Sequence, residues 1–135
     1  MLMDVVTQEL LDEVLQKAKA SPRLRMNHNF HDDPWTDKCQ RFLNAMEPGT
    51  KVDIHHHTVD EMLILLQGSL KALIYDDKGE VIEEVVLDRE KGIYGVQLPA
   101  GHWHSVEVLA PDTVVFEVKE GPFVPHEQGG ILQVK

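Results

Sequence analysis

From Arg41 onward, the sequence is a series of short strand patterns separated by turns. Each pattern is six to eight residues long, and Gly, Pro or Asp residues come between most of them. Such runs are typical of β-strands, and DDKG between two of them is a strong hairpin turn. Many short strands at near-regular spacing predict an all-β sandwich or barrel. The predicted strands are RFLNAM, KVDIHHH, EMLILLQ, LKALIY, EVIEEVVL, IYGVQL, HWHSVEVL and TVVFEV.

A different pattern precedes these strands. Residues 7–20 have apolar side chains at helical spacing, with Thr7 as a candidate N-cap and the sequence SPR to end the helix. Residues 21–40 show no clear period, and residues 121–135 are rich in Gly and Pro. We therefore expect a single domain over residues 1–135, consisting of a helix and an irregular segment over 1–40, a β-barrel over 41–120, and a tail over 121–135 that crosses a sheet edge or a partner.

The overall charge argues against two classes of partner. The chain carries a formal net charge of -10, which repels nucleic acid phosphates and anionic membrane surfaces. No apolar run approaches the ~18–20 residues of a transmembrane helix, and the first residues lack the layout of a signal peptide. The only cysteine, Cys39, rules out an internal disulfide. We therefore expect a cytoplasmic protein that binds a small molecule and neither nucleic acid nor membrane.

The stretch DIHHHTVDEM contains the densest group of metal-ligand side chains. On a strand, side chains alternate, so His55 and His57 point the same way and His56 points to the other face. The chain is then expected to return as an adjacent strand that begins near Glu61, which brings a carboxylate opposite the histidine pair. His104, after the turn PAG, is the fourth candidate. Three imidazoles and a carboxylate suit one divalent transition metal, such as Fe, Mn, Ni, Zn or Co, and leave coordination positions for water and substrate.

The spacing of these side chains resembles the two motifs of the cupin superfamily. The residues that match the two motifs are Gly49, His55, His57, Glu61 and Gly68 for the first, and Pro99, Gly101 and His104 for the second. The resemblance implies a cupin double-stranded β-helix, which is an antiparallel jelly-roll barrel, preceded here by one helix. It also implies a metal held in the barrel interior by the three histidines and Glu61.

A wider likeness covers about residues 5 to 125. The stretches SPRLRMNHNFH, QRFLNAMEPGT, DEMLILLQGSLKALIYDD, GIYGVQLPAGHWH and VVFEVKEGPF together resemble the WbuC-type cupin fold metalloproteins. These are small bacterial proteins often associated with gene clusters for surface polysaccharide (O-antigen). The resemblance implies a bound metal and a cytoplasmic role near sugar metabolism, but it supplies no established reaction.

Side chains outside the metal set are candidates for substrate binding. Arg23 and Arg25 can bind a phosphate or carboxylate through forked hydrogen bonds, or they belong to a solvated loop that covers a sheet edge. Further candidates for the barrel mouth or pocket are Asn27, His28, His31, Arg41 and Tyr94. His31 is the candidate catalytic residue, because imidazole titrates near neutral pH and can shuttle protons. His56 and His102 are not expected to be ligands.

Three functional hypotheses follow from these residues. The first is a metal-dependent enzyme that acts on a small polar molecule such as a sugar or sugar derivative, with isomerase, epimerase, oxidation and lyase chemistry all open. The second is a non-catalytic module in which a metal-held pocket binds or senses a ligand. The third is a metal that only stabilises the fold.

The strand EMLILLQ is apolar on both of its faces. A strand with this pattern is usually buried on both sides. We therefore expect a second layer over its outer face, either the N-terminal helix or another subunit. Because cupins of this size are often dimers, a homodimer is the expected state.

Overall fold

The computed structural model describes residues 2–122 and 131–132. Over these residues the chain forms one α-helix, eight strands and a turn of 3-10 helix. The helix and strands in chain order are α1 (Gln8–Ala20), β1 (Arg25–Asn29), β2 (Cys39–Met46), β3 (Glu61–Gln67), β4 (Leu70–Tyr75), β5 (Val81–Leu87), β6 (Gly95–Leu98), β7 (Trp103–Val108) and β8 (Thr113–Glu120). All the strand pairs are antiparallel. The predicted all-β fold with one N-terminal helix is therefore confirmed.

Two sheets face each other around an inner apolar cluster. The larger sheet has the strand order β1-β2-β8-β3-β6, and the smaller has the order β5-β4-β7. The buried side chains of the inner cluster come from both sheets and are Met46, Leu63, Leu65, Leu70, Ala72, Leu87, Leu98, Val108 and Val115. Because side chains alternate along a strand, Glu61 of β3 and Glu117 of β8 point to the same inner side as this cluster.

The helix α1 covers part of the outer face of the larger sheet. Thr7 caps its N-terminus, because its hydroxyl oxygen accepts a hydrogen bond from the Leu10 N–H at 3.1 Å. The helix and sheet side chains that form this outer cluster are Leu11, Val14, Leu15 and Ala18 against Leu43, Ala45 and Val114. The predicted helix and its apolar face are therefore confirmed. Within residues 2–122 and 131–132, no helix is long and apolar enough to span a membrane.

The strand β1 lies in the segment 21–40, so the expectation of a wholly irregular segment is wrong. β1 pairs with β2 along its whole length. Its sequence, RMNHN, lacks an apolar alternation because one face carries Arg25, Asn27 and Asn29. On the other face, Met26 packs against the outer cluster. The edge of β2 therefore gives this segment its extended form, and a pattern search along the sequence does not detect such pairing.

The predicted strand KVDIHHH is not formed as a strand. Among the residues that the structure describes, His55 alone in this stretch pairs in a ladder, with His104 and with Ile131. β3 pairs instead with β6 and β8, so the expected pairing of β3 with the histidine segment is also wrong. Most side chains of KVDIHHH are polar. The segment therefore has no apolar face that would fix it in a sheet.

The strand β3 has a second layer over only part of its outer face. Leu63 and Leu65 belong to the inner cluster. On the outer face, Leu66 packs against the outer cluster, whereas Ile64 is 37% exposed. The helix therefore covers one end of the strand, and the rest of this face is open in the single chain.

Part of the tail lies beside the histidine segment. The Leu132 N–H donates a hydrogen bond to the Ile54 carbonyl at 2.7 Å, next to the pairing of Ile131 with His55. The tail was predicted to cross a sheet edge or a partner, and its residues 123–130 and 133–135 lie outside the described residues.

Candidate metal centre

Three histidines from two parts of the chain meet in one cluster. One ring nitrogen from each of His55, His57 and His104 lies within 4.8 Å of the others. Two backbone hydrogen bonds hold the parts together: the His55 N–H donates to the His104 carbonyl at 3.0 Å, and the His104 N–H donates to the His55 carbonyl at 2.8 Å. Nitrogen ligands at ~2.0–2.1 Å from a tetrahedral zinc ion lie about 3.4 Å apart. The three ring nitrogens, which lie within 4.8 Å of one another, would therefore have to draw together around such an ion.

The backbone sets the orientation of two of the imidazoles. The Nδ1 atom of His55 lies 2.7 Å from the carbonyl oxygen of Asp53, and that of His104 lies 3.2 Å from the carbonyl oxygen of His102. Because a carbonyl only accepts, each Nδ1 carries the proton and each Nε2 keeps its lone pair. This is the tautomer of metal-binding histidines whose other nitrogen donates to a carbonyl.

Glu61 completes the set. Its Oε2 atom lies 3.1 Å from Nε2 of His57 and 3.9 Å from Nε2 of His104. Both Glu61 Oε2 and His104 Nε2 are buried, and neither has a hydrogen bond of good geometry among the described residues. A buried acceptor that lacks a hydrogen bond of good geometry costs about 1–3 kcal/mol. A cation between these two atoms would satisfy both, so the residues present fit a metal ion.

The charge states of these groups also suit a metal. Burial lowers the pKa of His55 to about 3, and the neighbouring His104 adds to this effect. Burial likewise lowers the pKa of His104, although Glu61 opposes the shift. Burial alone would raise the pKa of Glu61, but contact with His57 and the charge of Lys119 bring it down to about 2. At neutral pH the two histidines are therefore neutral and Glu61 is ionised, which are the forms that bind a metal.

A second carboxyl group lies beside Glu61, and the sequence analysis missed it. Glu117 is buried on β8 and shares a hydrogen bond with Glu61. Burial raises the pKa of Glu117 well above its ordinary value, and the charge of Glu61 adds to the rise. Asn44 Nδ2 donates to Glu117 Oε2 at 3.2 Å. The sequence does contain a sign of this role. Glu117 stands at an inward position of the apolar run TVVFEV, where burial of an unpaired carboxylate would cost too much free energy.

The other two histidines near the cluster, His56 and His102, point elsewhere. The His56 ring lies against Trp103, with 4.5 Å between ring centroids, and is not part of the cluster. The His102 side chain is exposed, and its Nδ1 lies 3.1 Å from the Ala100 carbonyl. His102 supports the site through its backbone carbonyl, which accepts from His104.

Three of the predicted substrate-binding residues come together in a cleft of about 300 Å³. This cleft, which we call the β1 cleft, is lined by Ser21, Arg23, Arg25, Met26, Asn27 and Asn44. The Asn27 and Asn44 positions are opposite each other in the β1–β2 register, so both lie on the inner side of the sheet. The structure therefore brings Arg23, Arg25 and Asn27 together in one cleft.

Other candidates are placed away from both sites. Arg41 shares the outer face of β2 with Leu43 and Ala45, and its guanidinium donates to the Cys39 carbonyl at 3.1 Å. Tyr94 is 57% exposed and lines a different cleft, next to Gln67 and Arg89. Sequence alternation could not show which face Arg41 would take, because the strand boundary and its pairing partners set the face.

His28 and His31 have contacts that do not lead to the histidine cluster. The His28 ring lies edge-on to Phe30, which itself packs in the outer cluster. His31 is buried, and its Nδ1 accepts a hydrogen bond from the Arg41 backbone N–H at 3.1 Å. Its ring lies edge-on to Phe42. The structure therefore gives no contact in support of His31 as the proton shuttle.

A family model described as Domain of unknown function (DUF6016) matches residues 6–87. None of the curated protein sequences matches this chain significantly.

Solved structures with the same fold are numerous. A cupin superfamily protein from Desulfitobacterium hafniense has a TM-score of 0.55 at 15% identity, over 71% of this chain and 76% of that chain. KdgF from Halomonas sp. has a TM-score of 0.56 at 16% identity, over 77% of this chain and 84% of that chain. The capsular polysaccharide assembling protein CapF from Staphylococcus aureus has a TM-score of 0.61 at 21% identity, over 82% of this chain but only 30% of that chain. These likenesses show that the chain has the cupin fold.

Proposed function

The chain belongs to the family described as Domain of unknown function (DUF6016), and we propose that it is a metal-dependent enzyme that acts on a small polar molecule, a sugar or sugar derivative. One observation carries the metal part of the proposal. Glu61 Oε2 and His104 Nε2 are buried and lie 3.9 Å apart, and neither has a hydrogen bond of good geometry within the described part of the chain. A bound cation removes the cost of both.

In this proposal His55, His57, Glu61 and His104 hold one divalent transition metal such as Fe, Mn, Ni, Zn or Co. When bound, the metal would polarise a carbonyl or hydroxyl group, or activate water or dioxygen. Four protein ligands leave positions open on a metal that takes six. The raised pKa of Glu117 favours its protonated form, which can donate a hydrogen bond to Glu61 and so orient the Glu61 carboxylate.

The substrate class rests on the character of the inner surface and on the sequence likeness. The β1 cleft is lined mostly by polar side chains, which suits a hydroxyl-rich molecule. The WbuC-type likeness also points to surface polysaccharide metabolism in the cytoplasm. One protein with the same fold, CapF, is described as a capsular polysaccharide assembling protein, which is in keeping with this setting.

Elemental analysis of the purified protein tests the metal site. We expect about one transition-metal ion per chain in the native protein, and its loss in His55→Ala, because a main ligand is removed. His56→Ala is the matched control: it removes a neighbouring histidine whose ring faces Trp103, so metal content should not change. Equal metal in native and His55→Ala protein would contradict the site. So would a native protein that takes up none of the five metals.

A second measurement separates a reactive centre from a metal that only stabilises the fold. In the Mn²⁺-loaded protein, a catalytic or binding centre leaves water on the metal that exchanges with solvent. We expect this water to enhance the relaxation of bulk water protons, and the enhancement to fall when a sugar ligand enters. Mn²⁺ bound without any enhancement would mean a metal saturated by protein ligands, and the enzyme proposal would fail.

A further inference from the structure

The geometry points to a second subsite. We propose that the β1 cleft binds an anionic group, a carboxylate or phosphate, carried by the sugar-sized substrate whose other end reaches the metal centre. The last part of this inference rests on the proposed function, but the anion site itself does not.

The arginines of the β1 cleft have charge that their surroundings do not neutralise. Arg23 and Arg25 lie on the same cleft, yet among the described residues neither forms a salt bridge. The Nε atom of Arg25 is buried and has no hydrogen-bond partner in the described part of the chain. A guanidinium has five donors and cannot give up its charge, so a buried unpaired N–H needs an acceptor. An oxyanion in the cleft would supply it.

The electrostatics of Arg25 support this need. Burial lowers the pKa of Arg25, and the positive charge of Arg23 lowers it further. Asp53 and Glu117 act in the opposite direction but do not cancel the effect. The chain as a whole carries a net charge of -10, so two arginines that line one cleft without a salt bridge among the described residues form a local positive site on an acidic protein.

A short series of contacts joins the β1 cleft to the metal centre. Asn44 lines the cleft and donates to Glu117, which is hydrogen-bonded to Glu61. On another side, Asp53 is close enough to act on the charge of Arg25, and its carbonyl accepts from Nδ1 of His55. Asn44, Glu117 and Asp53 are therefore the residues that link Arg25 to the metal ligands.

The size and donor geometry of the cleft define the ligand class. Its volume of about 300 Å³ is at the small end of ligand sites, which fits a monosaccharide rather than a polymer. The planar fork of a guanidinium matches the two oxygens of a carboxylate or a phosphate. The amide groups of Asn27 and Asn44 lie next to it and can donate to hydroxyl oxygens.

Calorimetric titration of the metal-loaded protein with three probes tests the proposal. The probes are D-glucuronate, D-glucose 6-phosphate and neutral D-glucose. We expect at least one of the anionic sugars to bind about ten-fold or more tightly than glucose, because it pairs a buried cation. The stronger of the two anions identifies the group as carboxylate or phosphate.

The variants Arg25→Gln and Arg25→Lys show whether the preference comes from the cleft. Arg25→Gln should lose the preference for the anionic sugar while it keeps its metal content. Arg25→Lys should keep part of the preference, because it keeps the charge but not the fork. Lys78→Gln removes a cation from the exposed β4–β5 turn and is the charge-matched control, which should bind like the native protein. Metal content and circular dichroism of each variant check that the fold is intact.

The results separate this inference from the proposed function. Equal affinity for the three probes, no binding at millimolar concentration, or native-like preference in Arg25→Gln would overturn the anion site while leaving the metal site standing. If a His55→Ala, His57→Ala variant without metal binds the anionic sugar as tightly as the metal-loaded protein, the cleft is an anion site and the link to the metal centre fails.

Discussion

At the scale of single residues, Glu117 shows how a buried polar group can serve a metal centre without being a ligand. It receives a hydrogen bond from Asn44 and shares one with Glu61. Residues that hold metal ligands in this way typically contribute 10–100-fold to metal affinity. We therefore predict that Glu117→Leu lowers metal affinity by about 10–100-fold, because Glu61 loses the group that orients it.

A conservative variant distinguishes this role from a general loss of packing. Glu117→Gln keeps a donor that can reach Glu61, so it should recover most of the affinity lost in Glu117→Leu. Competition with a metal chelator measures both variants, and thermal unfolding checks that each is folded. If Glu117→Gln binds metal as weakly as Glu117→Leu, the hydrogen bond to Glu61 is not what matters.

At the scale of elements, the turn between β3 and β4 takes the chain from the larger sheet to the smaller one. Gly68 in this turn has φ +83, and a Cβ atom there would overlap Oγ1 of Thr113 and lie 2.6 Å from its Cα. We predict that Gly68→Ala destabilises the fold by about 2–5 kcal/mol, from the left-handed backbone and the clash together. Urea unfolding measures the change.

Gly92 provides the matched control for Gly68. It also has a positive φ, +75, but a Cβ atom there would meet nothing within 4 Å. Gly92→Ala should therefore cost only the backbone strain, about 1–2 kcal/mol. If the two variants cost the same, the contact with Thr113 contributes nothing, and the turn needs glycine for its φ alone.

At the scale of the whole molecule, we expect the homodimer contact at the outer edge of β6 and the exposed part of β3. β6 pairs with β3 alone among the described strands, and Ile64 on β3 lies over Gly95 of β6. Ile64, Ile93 and Tyr94 are 37%, 39% and 57% exposed. Exposed apolar side chains next to the outer edge of a sheet are typical of subunit contacts.

We predict that light scattering of the native protein gives twice the chain mass of 15.3 kDa. The variant Ile64→Glu should be a monomer, because it places a charge in the expected contact. The matched control is Ile82→Glu, which changes an isoleucine that is 62% exposed on β5 of the other sheet; it should remain dimeric. If the native protein has the mass of a single chain, the homodimer prediction is wrong. If Ile82→Glu is a monomer while Ile64→Glu stays dimeric, the subunit contact lies on the smaller sheet instead.

Elements with a strong local period were predictable. The helix over Gln8–Ala20 and the strands from β3 to β8 follow apolar patterns and turn residues that lie next to each other along the chain. β1 was missed and KVDIHHH was predicted as a strand, because pairing with distant strands decided both. Strand pairing also placed the Arg41 side chain on the outer face, which the sequence could not show, so Arg41 was a candidate for the substrate pocket.

By itself, the sequence determined that this protein is an all-β barrel with one helix and that three histidines and a glutamate recur at motif spacing, because period and spacing are local properties. Only the tertiary structure decided which side chains surround that group. Glu117 and Asn44 reach Glu61 through the pairing of β2, β8 and β3, and Arg25 faces the cleft because β1 joins the edge of β2. Such contacts depend on register between strands far apart in the chain, and no local pattern encodes register across a sheet.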